Sequence, residues 1–427
     1  MVAAVRAGRS TTQVLDRLEP ALRGGAQALS FQALRWLGLA QALRQQLAQR
    51  PPPPEADALL CTVLALAAKP PGSEGADYAP HTLVSQAVEA AKQSPSTRHQ
   101  ASFLNGCLRR FLREREPLLA LAERQPEAQW NHPAWWVRQL RQDHPEHWQA
   151  ILQASNRRAP LTLRVNVRRT DRASYLAALA EAGVPAQAVG EQGLVLARSV
   201  PVTQLPGYAE GWFSVQDAGA QWAAPLLLEG LVPSVGRPLL LLDACAAPGG
   251  KTAHLLERAD AQVLALDMDA QRCQRITHNL ARLGLQATVQ AADAGSPAAW
   301  WDGQPFDGIL LDAPCTASGI VRRHPDVRWL RRPGDVAQLA QQQARLLEAL
   351  WPLLKPGGQL LYCTCSVFKA EGQQQIQTFL AHHTDAQMRP SPGHLLPGAA
   401  GGRAQLPDNP DGEHDGFFYA LLRKLAP

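Results

Sequence analysis

From Pro238 onward, short apolar runs and helix-period segments take strict turns, and that alternation constrains what the chain can fold into more than any other feature. Leu239 to Asp243 is a continuous apolar run closed by an acid, as expected of a strand buried on both faces of a parallel sheet. A helix is predicted over Lys251 to Arg258, a strand over Gln262 to Leu266 and a helix over Ala270 to Leu283. Two more strands follow, at Thr288 to Ala292 and Gly308 to Asp312. A long helix from Asp335 to Leu354 should stop at Lys355-Pro356-Gly357-Gly358, with a strand over Gln359 to Cys363. The pattern closes with a helix over Gln373 to His382 and a strand over Gly416 to Leu422. The Gly/Pro-rich stretch Pro390 to Gln405 reads as a surface loop. Such alternation implies a doubly wound α/β sheet, which binds ligands beyond the carboxyl ends of its strands.

The first ~150 residues have a different texture, and the length of 427 residues suggests two or three domains. Helical periodicity runs through Thr11 to Arg23 and Leu29 to Arg50. Pro51 to Pro54 should form an extended spacer before helices at Ala56 to Ala68, Leu83 to Ala91 and His99 to Arg113. From Leu161 the period shortens to two, then a helix is expected over Ala173 to Ala182 and a strand over Leu194 to Ala197. Three domains are therefore expected: an all-α one over 1–150, a small α+β linker over 151–225 and the α/β sheet over 226–427.

Asp243-Ala-Cys-Ala-Ala-Pro-Gly-Gly-Lys-Thr252 lies between the first sheet strand and its helix, where small residues let the backbone approach a ligand. A P-loop ending in Gly250-Lys251-Thr252 would need glycine where Cys245 stands, and G-x-G-x-x-G is missing. A cofactor without a pyrophosphate, such as S-adenosylmethionine, fits what remains. Asp267 closes the second strand, where an acid accepts ribose hydroxyls. Asp293 and Asp312 close the next two, placing further carboxylates at the same crevice. Two cysteine motifs join them: Asp312-Ala313-Pro314-Cys315 and Tyr362-Cys363-Thr364-Cys365-Ser366. Cys363-x-Cys365 lacks the paired spacing of a zinc site, so no metal is expected.

Together DACAAPGGKT, DAPC, KPGG, YCTCS and the terminal DGFFYALL resemble the RNA cytosine-C5 methyltransferases of the NOL/NOP/Sun group. Asn105-Gly106-Cys107-Leu108-Arg109-Arg110 is similar to the NusB-type RNA-binding helical domain, and that domain ahead of a catalytic sheet is the bacterial Fmu/Sun arrangement. The resemblance implies a Rossmann-like S-adenosylmethionine methyltransferase fold, with small-subunit (16S) rRNA, unassembled or early in 30S assembly, as the partner. It places the nucleophile at Cys365, a thiol assisting product release at Cys315, and a hydrogen bond to the base edge at Asp312. The cofactor would be held by Cys245, Ala246, Ala247, Pro248, Gly249, Gly250, Lys251, Asp267, Asp293 and Asp312. Cys363 departs from the family, which more often has alanine there, and it shares a strand face with Cys365.

The chemistry explains the parts. C5 of cytosine is too weak a nucleophile for a sulfonium methyl group until a thiolate adds at C6, and covalent catalysis divides that difficulty. The base must leave its stack, so single-stranded or loop RNA is expected. The net charge of +5 is carried almost wholly by arginine, which suits phosphate contacts, although codon bias would give the same composition. Arg109, Arg110, Arg164, Arg322 and Arg323 are candidate RNA contacts, and Arg164 sits in an arginine-dense stretch between Asn156 and Arg172. Two other functions fit in part. A DNA cytosine methyltransferase would use Cys315 as its nucleophile, and a non-catalytic RNA-binding factor would use neither cysteine. Seven cysteines, an odd count, suit reduced thiols, and no apolar run reaches the ~20 residues of a membrane span, so a cytoplasmic monomer is expected.

Overall fold

Apolar strands bounded by acids arrange themselves in the computed structural model as the alternation requires. It describes residues 1–69, 78–233, 236–398 and 413–426. The main sheet contains β5 (Leu239–Asp243), β6 (Ala261–Asp267), β7 (Thr288–Ala291), β8 (Phe306–Asp312), β9 (Leu354–Thr364), β10 (Ala386–Leu395) and β11 (Phe417–Lys424). Its order is β10-β11-β9-β8-β5-β6-β7, with β5 to β9 parallel and β10 and β11 antiparallel. The chain leaves β5 for β6 and β7, then returns to β8 on the other side of β5. That reversal opens a crevice at the carboxyl ends of β5 and β8. Leu242, Ile309, Leu311, Leu360 and Tyr362 on one face and Leu241, Leu310 and Leu361 on the other are fully buried, so the strands bury both faces as their unbroken apolar runs imply.

Two expectations for this sheet fail. Pro390 to Leu395 belongs to β10 rather than to a loop, and residues 399–405 lie outside the described ones. Lys355 to Gly358 does not precede β9 but is contained in it. Phe306 pairs with Leu354 and Gly308 with Gln359, so the intervening residues bulge out of the ladder.

Four antiparallel strands form a second sheet: β1 (Leu161–Val165), β2 (Ala186–Val189), β3 (Gly193–Leu196) and β4 (Phe213–Val215), in the order β2-β3-β1-β4. The helix Arg172–Glu181 covers it, with Tyr175 and Leu179 packed on Leu163, Val165 and Phe213. Sequence periodicity found β1, this helix and β3 but missed the short β2 and β4. All of β1's pairings are antiparallel.

The chain divides into two compact units, residues 1–158 with 320–333, and residues 159–319 with 334–427. The first unit is helical. Pro20–Arg35, Leu37–Leu47, Pro54–Ala68, Pro80–Gln93 and Ala101–Arg113 bury Leu34, Leu37, Leu43, Leu60, Leu64 and Phe111 in one core. The long helix expected from Leu29 to Arg50 breaks at Trp36, and Pro54 opens a helix instead of ending a spacer. Ile320 to Pro333 belongs to this unit for a chemical reason. Asp326 accepts hydrogen bonds from the Thr11 amide and hydroxyl at 2.8 Å each, and buried Arg328 donates to the carbonyls of Asn131 and Ser155. No described helix is long and apolar enough to cross a membrane.

Candidate active site

The turn after β5 must bend sharply enough to start a helix, and Gly249 supplies the bend at φ +96°. A Cβ there would lie 3.0–3.1 Å from Ile276, so glycine is required both for conformation and for space. The turn is fastened from outside. The Ala246 amide donates to the Leu266 carbonyl at 2.7 Å, the Ala247 amide to Asp267 Oδ2 at 3.3 Å, and Asn279 Nδ2 to the Pro248 carbonyl at 2.7 Å. Small residues over a helix N-terminus thus form a rigid backbone cradle beside the Asp267 carboxylate.

Beneath the cradle, Asp243 is fully buried and accepts a hydrogen bond from Thr252 Oγ1 at 2.6 Å. Burial pushes its carboxyl up to about 7, against the Thr252 hydrogen bond that favours the anion. A carboxyl raised on folding stabilises the protein below the ordinary carboxylate range, and that contribution is lost as pH rises through about 7. Asp243→Asn should therefore flatten the parent's loss of stability between about pH 4 and 7. Denaturant midpoints for both proteins across that window check this, and parallel pH curves would refute it.

Asp312, at the end of β8, is the hub of the crevice. Its Oδ2 lies 2.5 Å from Lys251 Nζ, and its Oδ1 accepts from Cys363 Sγ at 3.5 Å. Burial would lower the Lys251 ammonium, but the Asp312 carboxylate outweighs it and holds the lysine charged. Cys363 is buried and its thiol is pushed well up, by burial and then by Asp312. Cys363 thus turns to Asp312 at the crevice, while Cys365 meets a different partner. Cys365 Sγ lies 3.4 Å from Cys315 Sγ, with both cysteines half-buried at the ends of neighbouring strands. The hydrogen bond with Cys365, together with burial, pushes the Cys315 thiol well above its usual range. A thiol raised in this way keeps its proton and can donate it to the neighbouring sulfur.

The other expected residues divide. Asp267 is buried at the cradle, with Arg272 3.4 Å away. Asp293 is not an open acceptor: Arg345 reaches both of its oxygens at 3.0 Å, and the Gly295 amide and Ser296 hydroxyl add two further bonds. The Arg345 hydrogen bonds hold its carboxyl below the usual range. Arg164 cannot touch RNA, because it is fully buried and paired with Glu257 at 2.8 Å. Arg322 is buried too, its carbonyl accepting from Arg35 at 2.7 Å, and Arg323 is half-buried. Only Arg109 and Arg110 among the five are exposed, on the Ala101–Arg113 helix. Sequence reasoning missed Glu371 entirely. It is fully buried and accepts from Ser366 Oγ at 2.6 Å and the Thr316 amide at 2.8 Å. Its signal is faint: a lone acid in a short 3-10 turn, where no periodicity marks it as buried.

Residues 236–423 match the family described as 16S rRNA methyltransferase RsmB/F, and residues 132–203 match the ferredoxin-like domain of RsmF/B-like methyltransferases. The ribosomal RNA small subunit methyltransferase B of Pseudomonas putida is 42% identical, covering 96% of this chain and 93% of its own length. That of Vibrio cholerae is 45% identical over 81% of this chain and 77% of its own. Among solved structures, PH0851 superposes with a TM-score of 0.76 at 25% identity, over 99% of this chain and 97% of its own. A methyltransferase homologue from Pyrococcus horikoshii gives 0.57 at 28% identity, over 70% of this chain and 97% of its own. The chain belongs to the RsmB/F family of 16S rRNA methyltransferases.

Proposed function

We propose that this protein methylates C5 of a cytosine in small-subunit rRNA through a covalent bond between Cys365 and C6 of the base. The carrying observation is the pair of sulfurs 3.4 Å apart at the ends of β8 and β9, beside the cradle and Asp312. S-adenosylmethionine suits the cradle, whose small residues let the backbone approach a ligand and whose rim carries Asp267. When bound it supplies an electrophilic methyl group. Cys245 to Lys251 would line it, with Asp267 accepting from the ribose hydroxyls. Asp293, already bonded to Arg345, serves better as a wall of the adenine end than as a direct acceptor.

On the base side, Asp312 is held in place by Lys251, and its carboxyl suits a hydrogen bond to the N3/N4 edge of cytosine. Cys365 adds at C6, and the resulting enamine makes C5 nucleophilic. C5 accepts the methyl group, its proton passes to water, and elimination then breaks the C6–S bond, returning the electron pair to the Cys365 sulfur. The Cys315 thiol then meets the departing Cys365 sulfur with a hydrogen bond already in place. The helical unit, with Arg109 and Arg110 exposed, provides RNA contacts of the NusB type. The target is loop or single-stranded 16S rRNA, unassembled or in an early 30S particle, met by a monomer in the cytoplasm.

Incubating the purified protein with labelled S-adenosylmethionine and small-subunit rRNA, then digesting to nucleosides, tests this reading. 5-Methylcytidine at one site is expected. Label in a ribose or an exocyclic amine, or none in RNA, would defeat it.

A further inference from the structure

The thiols sit on two different loops, just beyond the last strand pairing of Asp312 with Cys363. We propose that Glu371 is a positioning residue that clamps the two loops together and so fixes the Cys315–Cys365 geometry; this rests on the assignment of those cysteines above. The residue after each thiol is the point of attachment. Oε1 of Glu371 accepts from the Thr316 amide at 2.8 Å and from Gln343 Nε2 at 3.3 Å. Oε2 accepts from Thr316 Oγ1 at 2.5 Å and Ser366 Oγ at 2.6 Å. Four donors on two oxygens call for an ionised, acceptor-only carboxylate, although burial raises its pKa. Charge-assisted bonds of this kind are the strong ones.

The clamp holds a loop that would not rest there unaided. Ala317, two residues beyond Cys315, has φ +59°, a left-handed conformation that a residue with a Cβ adopts only under constraint. Around it the Gly319 amide donates to the Cys365 carbonyl at 2.9 Å, and Ser318 and Ser366 share a hydroxyl contact at 2.8 Å. Gln343 also donates to the Pro314 carbonyl at 2.9 Å, so Glu371 and Gln343 grip Cys315 from both sides. The same glutamate's carbonyl accepts from Tyr362 Oη at 2.7 Å, tying the clamp to β9.

Glu371→Gln keeps the shape but turns two acceptors into one acceptor and one donor, setting an N–H against donors. It should lower kcat about 10²-fold, the effect of moving a reacting group by an ångström or so. KM for RNA and Kd for S-adenosylmethionine should stay within about threefold, because neither surface is touched. In a Cys315→Ala background it should slow covalent adduct formation as well, and Glu371→Asp, one methylene shorter, should recover only part of the rate. A kcat unchanged by Glu371→Gln overturns the clamp, as does a loss matched by equal losses of cofactor affinity and unfolding midpoint. If Glu371→Gln fails to fold, Ser366→Ala decides: it deletes one donor without altering charge, and a wild-type kcat in it overturns the clamp. Failure of the underlying assignment shows separately, as methyl transfer surviving Cys365→Ala with Glu371 intact, and that also overturns the proposal.

Discussion

Cys365→Ala should abolish methyl transfer, with a loss on the order of 10⁴-fold or more, as expected when a covalent nucleophile is removed. Cys315→Ala should behave differently: addition to the base proceeds, release stalls, and a protein–RNA complex that survives denaturing electrophoresis accumulates. The geometry supports this asymmetry. The Cys315 thiol is raised by its bond to Cys365 and by burial, so it keeps its proton and suits donation to the neighbouring sulfur. Removing Cys315 takes away a hydrogen-bond donor to the departing sulfur without removing the attacking atom. The double substitution should form no complex, and Cys363→Ala should leave the trapping pattern unchanged because that thiol is buried against Asp312. The opposite pattern, with complex formed by Cys365→Ala and none by Cys315→Ala, would make Cys315 the nucleophile and overturn the assignment.

The features legible in the sequence have short-range causes. An apolar run closed by an acid can be read locally, so β5, β6 and β8 and the carboxylates at their ends emerge from the sequence alone. The glycine turn is legible for the same reason, since φ +96° in close contact with Ile276 strains any residue with a Cβ. The misses have long-range causes. Arg164 looked like one of a run of solvated or phosphate-bound arginines, yet its partner Glu257 lies 93 residues away. Asp326 and Arg328 stand in a stretch between sheet elements, and only their partners Thr11, Asn131 and Ser155 show that the stretch belongs to the helical unit. Glu371 is closer in sequence, but what buries it are two loops that meet only after β8 and β9 pair. A side chain whose role is to join distant segments leaves no periodicity to find.

Arg164→Met should cost about 3–5 kcal/mol of stability, the usual result of leaving one member of a buried ion pair uncompensated. Arg164 rises from β1 and is fully buried. Its Nε and Nη2 hold both oxygens of Glu257 at 3.0 and 2.8 Å, while Nη1 donates to the Gly250 carbonyl at 2.9 Å and to Gln216. Glu257 lies on the Gly250–Arg258 helix, so one guanidinium joins the small antiparallel sheet to both ends of the helix that opens at the cofactor cradle. Arg164→Lys keeps the charge but loses the fork, and should recover only part of the loss. Arg164→Met with Glu257→Leu removes both charges together and should restore most of it, because well-packed apolar residues replace buried pairs at little cost. Even then the Gly250 carbonyl loses the guanidinium that bonds it beside its helical partner, so S-adenosylmethionine should bind more weakly than to the parent. Denaturant unfolding and cofactor titration of the single, conservative and double variants separate these effects. An arginine that only met phosphates would behave otherwise, with unchanged unfolding and RNA affinity weakened alike for every sequence. That outcome for Arg164→Met would mean that the buried pair does not hold this helix to its sheet.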